Sequence, residues 1–352
     1  MRYHEDTATG LFSTDERLHR LEELGDPLQI LSQYIDFEFF RALLEEYLYT
    51  DYNASRGGRP PYDVVLMFKL LVIQRLYNLS DEALEYQVTD RLSFQRFLGL
   101  NFSGQVPDAK TVWLFRDQLQ RQDLVKALFE QMNAQLLKRG VIALEGQVVD
   151  ASFVAAPRLR NTREENAAIK AGEVPEEWKT KPHRLAQKDT DARWAKKGTE
   201  VHFGYKNHVM SDLVSKLVTE YAVSDAAVHD SRLLDALTSF GLASEQELYA
   251  DAAYAGADFE ELLEEREITS CIHFKAQRNR PLTAREKRSN KARSRKRARV
   301  EHIFAFMTNS MKGMTVRGRS LARNEAVIGL MNLTYNLCRL VQLKEKLMLC
   351  PA

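Results

Sequence analysis

Apolar residues recur at helical spacing through the first third of the chain. Between Asp26 and Tyr47 they fall at Leu28, Ile30, Leu31, Tyr34, Ile35, Phe37, Phe40, Leu43 and Leu44, which predicts a helix with Asp26 as its cap and Pro27 at its first position. After the turn Arg56-Gly57-Gly58-Arg59-Pro60-Pro61, a strongly apolar helix is expected over 62–76. Asn78-Leu79-Ser80 interrupts it, and Ser80 with Asp81 and Glu82 suits a new helix start. Leu92, Phe94, Phe97 and Leu98 mark a further helix, and Pro107-Asp108 opens another through Val112, Trp113, Phe115 and Leu119. Short helices joined by tight turns predict an all-α, helix-turn-helix-like domain over 1–138, although plain helical packing gives the same pattern.

The periodicity changes near residue 141. Residues 146–154 read as a strand ending its apolar run at Asp150. From Pro157 to Glu200 the chain is polar, with both charges and Pro175 and Pro182, and reads as an excursion off the core. Residues 201–210 alternate as a strand, and 216–223 read as its hairpin partner. A helix over 230–240, a strand over 247–251, a helix over 258–266 and a strand over 268–274 follow, and then a long helix that begins in a basic stretch and passes Glu301. Three strands followed by alternating helices and strands predict a mixed α/β domain over 139–312 carrying the excursion 157–200, with a C-terminal helical segment over 313–352.

Composition narrows the class. With 44% hydrophobic and 28% charged residues among 352, the chain can bury a core and is neither disordered nor a membrane protein. The longest apolar runs, such as Val64 to Phe68, fall far short of the ~20 residues a membrane helix needs. Cys271, Cys338 and Cys350 are too few and too scattered for a disulfide framework or a zinc site, which fits a reducing cytosol.

A net charge of +1 hides an uneven distribution. Residues 285–299 hold nine basic side chains against Glu286 alone, so the rest of the chain is net acidic. One concentrated patch suits a polyanion contact, and a solvated helix face is the alternative.

Three acids stand out by position. Asp150 and Asp251 end predicted strands, where open α/β sheets place their ligands, and Glu301 lies four residues after Arg297 on the predicted last helix. Carboxylate donors favour a hard cation such as Mg²⁺ or Mn²⁺, and two such ions ~3.5–4 Å apart serve phosphodiester cleavage or strand transfer. His202, His208, His229 and His302 lack short, repeated ligand spacing and read as core or DNA-facing residues.

At these residues the chain resembles bacterial insertion-sequence transposases of the DDE class, in the group typified by insertion sequence five. The resemblance rests on Val148-Val149-Asp150-Ala151-Ser152, Tyr249-Ala250-Asp251-Ala252-Ala253-Tyr254-Ala255-Gly256 and Arg297-Ala298-Arg299-Val300-Glu301-His302-Ile303-Phe304. It extends to Phe203-Gly204-Tyr205-Lys206-Asn207-His208, Asp225-Ala226-Ala227-Val228-His229-Asp230-Ser231, and two blocks in the helical region, and covers roughly residues 20–345 in order. It implies a ribonuclease H-like catalytic domain with Asp150, Asp251 and Glu301 as catalytic metal ligands. Of the wider family's Tyr-x2-Arg-x3-Glu-x6-Lys signature, Arg297 and Glu301 match. Ser294 and Thr308 stand at the tyrosine and lysine positions, so no role is carried to them.

The implied function is a Mg²⁺-dependent transposase, with Mn²⁺ substituting, that cuts its element's ends and joins 3′-OH ends to target DNA. Arg293, Lys296, Arg297 and Arg299 are expected to position phosphates, and Arg56 and Arg59 to contact the DNA backbone at the element's ends. A homodimer on double-stranded DNA, in the bacterial cytoplasm and nucleoid-associated, is expected, with no membrane partner. The alternatives are a DNA-binding protein that has lost catalysis and a nuclease without strand transfer.

Overall fold

The computed structural model describes residues 13–48, 60–101, 104–158, 161–238, 246–276, 278 and 280–343. Arg56 and Arg59 lie outside the described residues. The chain forms two compact units, one from Met1–Gln74, Leu79–Arg116 and Leu340–Ala352, the other from Arg75–Asn78 and Asp117–Arg339.

The first unit is helical. It draws on α1 (Ser13–Glu23), α2 (Pro27–Tyr34), α3 (Arg41–Leu48), α4 (Val64–Leu76), α5 (Asp81–Asp90), α6 (Leu92–Leu98) and the start of α7 (Ala109–Arg121). Asp26 caps α2 through the Leu28 N–H at 3.0 Å, with Pro27 at the first turn, as its sequence predicts. The expected helix over 26–47 is divided, because Asp36 acts as a second cap, accepting the Glu38 N–H at 3.0 Å and opening a 3₁₀ turn, Phe37–Phe40. Phe37 and Phe40 then pack on Phe68, and Phe37 meets Phe97 edge-on with centroids 5.4 Å apart. Arg116 closes the unit with two hydrogen bonds to Asp81, at 2.7 and 2.8 Å.

The second unit is built on a mixed six-stranded sheet. Its helices are α8 (Leu124–Lys138), α9 (Arg163–Lys170), α10 (Glu176–Lys179), α11 (Pro182–Leu185), α12 (Leu234–Thr238), α13 (Ala257–Glu265), α14 (Ala284–Arg297), α15 (Glu301–Ala305) and α16 (Leu321–Leu343). The central strand, β1 (Gly146–Ala155), is antiparallel to the long β3 (Glu200–Asp212) and parallel to β5 (Glu247–Tyr249), which is parallel to β6 (Thr269–Ser270). The other edge of β3 takes β2 (Arg193–Lys197) along residues 200–204 and β4 (Val218–Asp225) along 205–211. The strand pattern begins at residue 146, but the unit reaches back to Asp117. α8 packs on β4, with the Phe129 and Tyr221 rings 4.9 Å apart and Asn133 Nδ2 donating to the Val218 and Thr219 carbonyls.

Three elements of this unit differ from expectation. β1 does not end at Asp150 but runs on to Ala155, so Asp150 sits in mid-strand opposite Val209. The excursion 157–200 contains a strand, β2, whose polar sequence Arg-Trp-Ala-Lys-Lys hides it. It pairs with β3 through a turn at Gly198, where φ is +62°. Trp178, in the same excursion, is fully buried and donates its indole N–H to Glu165 at 2.7 Å, anchoring the segment. The long helix expected to pass Glu301 breaks after Arg297. The N–H groups of Arg299, Val300 and Glu301 reach carbonyls three residues back, at 3.1–3.2 Å, a tighter winding than the α-helix. This turn buries Val300 completely and leaves Glu301 exposed.

Among the described residues no helix is long and apolar enough to cross a membrane.

Candidate active site

Alternation along β1 sends Val149 into the core formed with Met210, Leu248, Leu263 and Ile272, and Asp150 to the opposite face, where α14 lies. Val148 pairs with Tyr249 in the parallel β1–β5 ladder. Asp251 lies two residues beyond the end of β5, as Asp150 lies two residues beyond Val148 on β1. Burial pushes the Asp150 carboxyl up, the charge of Asp251 adds to this, and Arg297 and the Ala151 N–H oppose it. Arg297 donates to Asp150 Oδ2 at 2.8 Å and the Ala151 N–H to Oδ1 at 2.9 Å. Asp251 Oδ1 accepts the Ala253 N–H at 2.8 Å, which fixes its rotamer in the turn after β5.

Glu301 is not gathered with them. It is exposed at the start of α15, and among the described residues no three His, Cys, Asp or Glu side chains are placed to hold a metal ion together.

The four cations expected to face phosphates each bond within the protein, Arg293 and Arg297 partly buried and Lys296 and Arg299 exposed. Arg297 pairs with Asp150. Lys296 donates to Glu247 at 2.9 Å and to the Tyr249 hydroxyl at 2.6 Å, and these bonds raise its pKa. Arg293 donates to the Ile272 carbonyl and lies over the Phe274 ring. Arg299 donates to the Leu213 carbonyl at 2.6 Å. Spacing alone could not reveal this, because a cation fastening a helix and a cation awaiting a phosphate leave the same trace in sequence.

A cleft of about 400 Å³ opens beside Asp251, bordered by Phe153, Trp194, Lys196, Lys197, Lys206 and Asp230. Lys206 is held by Asp230 Oδ1 and the Val228 carbonyl, both at 2.7 Å. His229 bonds Ser231 at 2.8 Å rather than Asp230. Trp194 is 47% exposed on the rim and carries the Arg158 guanidinium over its ring. Tyr254 is buried beside the acids with its hydroxyl unpartnered, and its pKa lies well above the ordinary value through burial and the neighbouring Asp230, Asp150 and Asp251 charges. Lys206 and Tyr254 belong to sequence blocks that carry the family resemblance, but their proximity to the acids needs the folded sheet.

Residues 16–118 match the family described as "Transposase domain (DUF772)". A solved structure of piggyBac transposase in a synaptic complex with hairpin DNA is similar at 10% identity, with 92% of this chain and 76% of that chain covered and a TM-score of 0.45. Residues 143–337 match the family described as "Transposase DDE domain", a span that takes in the whole sheet, Asp150, Asp251 and Glu301. The chain belongs to the transposase DDE domain family.

Proposed function

We propose that this chain is a DNA transposase of the insertion-sequence-five group, which cuts its element's ends and joins the 3′ ends to target DNA. The observation that carries the reading is that Asp150 on β1 feels the charge of Asp251, just past the parallel strand β5, inside the span that matches the DDE family. An antiparallel set of strands followed by two parallel ones, with helices against the sheet, fits a ribonuclease H-like domain. The helices before Arg116 are assigned to the element's ends, in helix-turn-helix-like fashion.

Two carboxylates, one in the middle of β1 and one just past the end of β5, the first raised by burial and by the other's charge, fit a hard divalent cation that would relieve their repulsion. Asp150 and Asp251 would hold it, with Glu301 added on the strength of the resemblance. Bound there, Mg²⁺ or Mn²⁺ would supply Lewis-acid activation of phosphodiester oxygens. The chain's own residues do the positioning. Arg297 fixes the Asp150 carboxylate, the Ala253 N–H fixes Asp251, and Lys206, held by Asp230, presents a cation at the cleft.

The test is cleavage and strand transfer on duplexes carrying the element's ends, with Asp150→Asn, Asp251→Asn and Glu301→Gln. Each is expected to abolish both reactions and to leave DNA binding intact, because an amide keeps the shape and loses the charge. Near-normal cleavage by a variant removes that residue from the site. DNA binding by the unaltered protein with no cleavage points to an inactive DNA-binding descendant, and cleavage without joined product to a simple nuclease.

A further inference from the structure

We infer that the outward face of α14, formed by Arg285, Lys287, Arg288, Lys291 and Arg295, is the surface that grips the phosphate backbone of duplex DNA. The inference rests on the transposase reading and concerns cations other than those that spacing alone selected.

The helix has two unlike faces. At ~100° per residue, Lys296, Arg293, Arg297 and Asn290 fall within an arc of about 120°. All four bond to the sheet or to the segment after it. On the same wheel the five remaining cations occupy about 160° of the opposite side. All five are exposed, and among the described residues none forms an ion pair. Glu286, the one acid of the helix, is already used in the capping box with Thr283 and in a pair with Arg280.

A merely solvated face would be expected to intersperse acids at i+4. Here Lys287, Lys291 and Arg295 repeat at that spacing with like charge, an arrangement that repels itself until a polyanion neutralises it. The apolar residues between the cations are Ala284 and Ala292, so the face lacks the large apolar side chains that a membrane-surface helix or a protein interface core requires. Regularly spaced phosphates need only charge. From Arg285 to Arg295 the helix rises ~15 Å, close to the rise of four or five duplex steps at ~3.4 Å each.

The experiment measures binding of the full chain to a fluorescein-labelled 30-base-pair duplex of random sequence by anisotropy across a NaCl series. The variant R285Q/K287Q/R288Q/K291Q/R295Q should lower the log–log salt slope by roughly 4.5, at ~0.9 per phosphate contact, and weaken binding by at least about tenfold at 0.1 M salt. Its melting temperature should stay close to that of the unaltered chain. The singles R285Q and R295Q should each lower the slope by about 0.9, and R285K/R288K/R295K should keep it. K296Q should lower the melting temperature and keep the slope. An outer-face variant that binds with an unchanged slope overturns the inference and leaves the transposase reading standing. Failure of the unaltered chain to bind duplex DNA at low salt overturns both.

Discussion

Arg297 Nη1 lies 2.8 Å from Asp150 Oδ2, a contact across 147 positions of sequence that fastens the last turn of α14 to the central strand. It fixes one acid of the pair and offsets the burial that pushes this carboxyl up. Arg297→Leu should remove that offset and raise the Asp150 carboxyl further. A raised folded-state carboxyl favours protonation in the native chain, so the destabilisation is full at neutral pH and shrinks as pH falls through the raised value. The expected loss at pH 7 is about 1–3 kcal/mol, the cost of leaving a partly buried charge without its partner. Urea unfolding at pH 7 and pH 5 checks this, and an equal loss at both values would assign the effect to packing alone.

His208 should make the fold acid-sensitive. It is completely buried on β3, with Nε2 against the Ser224 hydroxyl at 2.9 Å, and burial lowers its pKa from 6.5 to about 4, Asp230 opposing this and Lys206 adding to it. Between those values the unfolded chain takes up a proton that the native chain refuses. Stability therefore rises with pH through this window and is lost as pH falls through it, by roughly 3 kcal/mol when complete. His208→Gln should flatten the dependence of unfolding free energy between pH 6.5 and 4. An unaltered slope in the variant would place the acid sensitivity elsewhere.

Much of this architecture was legible in residue order. Asp26-Pro27 announced the start of α2, and the alternation around Val148 and Val209 announced the sheet. Asp150 and Asp251 were visible because each follows an apolar run, although Asp150 proves to lie in the middle of β1 and Asp251 two residues past β5. β2 was not legible, because an edge strand of Arg, Trp and Lys has no buried face to write a period into the sequence. The break after Arg297 was hidden for a different reason. Val300, Ile303 and Met307 keep helical spacing through a turn that is wound more tightly, so the apolar stripe continues across the break. The bonding of Lys296 depends on Glu247 and Tyr249, almost fifty residues earlier.

Asn207 on β3 and Asn332 on α16 exchange amide hydrogen bonds at 2.8 and 3.0 Å, both side chains fully buried. Either amide alone would be stranded without water. Asn332→Leu should therefore cost about 1–3 kcal/mol, whereas Asn207→Leu with Asn332→Leu should recover most of that loss, since no buried polar group is then left unpaired. Equilibrium unfolding of the two singles and the double gives the coupling directly. Additive losses would mean that the amides act independently.

Gly204 is the point where β3 is shared, pairing with Ala155 of β1 on one edge and with Arg193 of β2 on the other. Its φ is +143°, and a Cβ there would overlap the Val154 carbonyl oxygen and stand 2.7 Å from the Ala156 nitrogen. Both obstacles are backbone of the central strand, which cannot swing aside as a side chain can. Gly204→Ala thus combines a strained backbone with overpacking, each worth about 1–3 kcal/mol, for roughly 2–6 kcal/mol in all. Gly198 separates the two contributions, because its φ is +62° but no atom lies within 4 Å of a Cβ placed on it. Gly198→Ala should cost about 1 kcal/mol from conformation alone. The consequence reaches the cleft, since β2 carries Trp194, Lys196 and Lys197 on its rim and a displaced Gly204 would shift them away from Asp251. Thermal unfolding of the two variants, read beside the tryptophan fluorescence of each, to which the exposed Trp194 contributes, checks both parts. Equal losses in the two variants would show that the β1 backbone yields at Ala155 and that the sharing of β3 does not hold the rim in place.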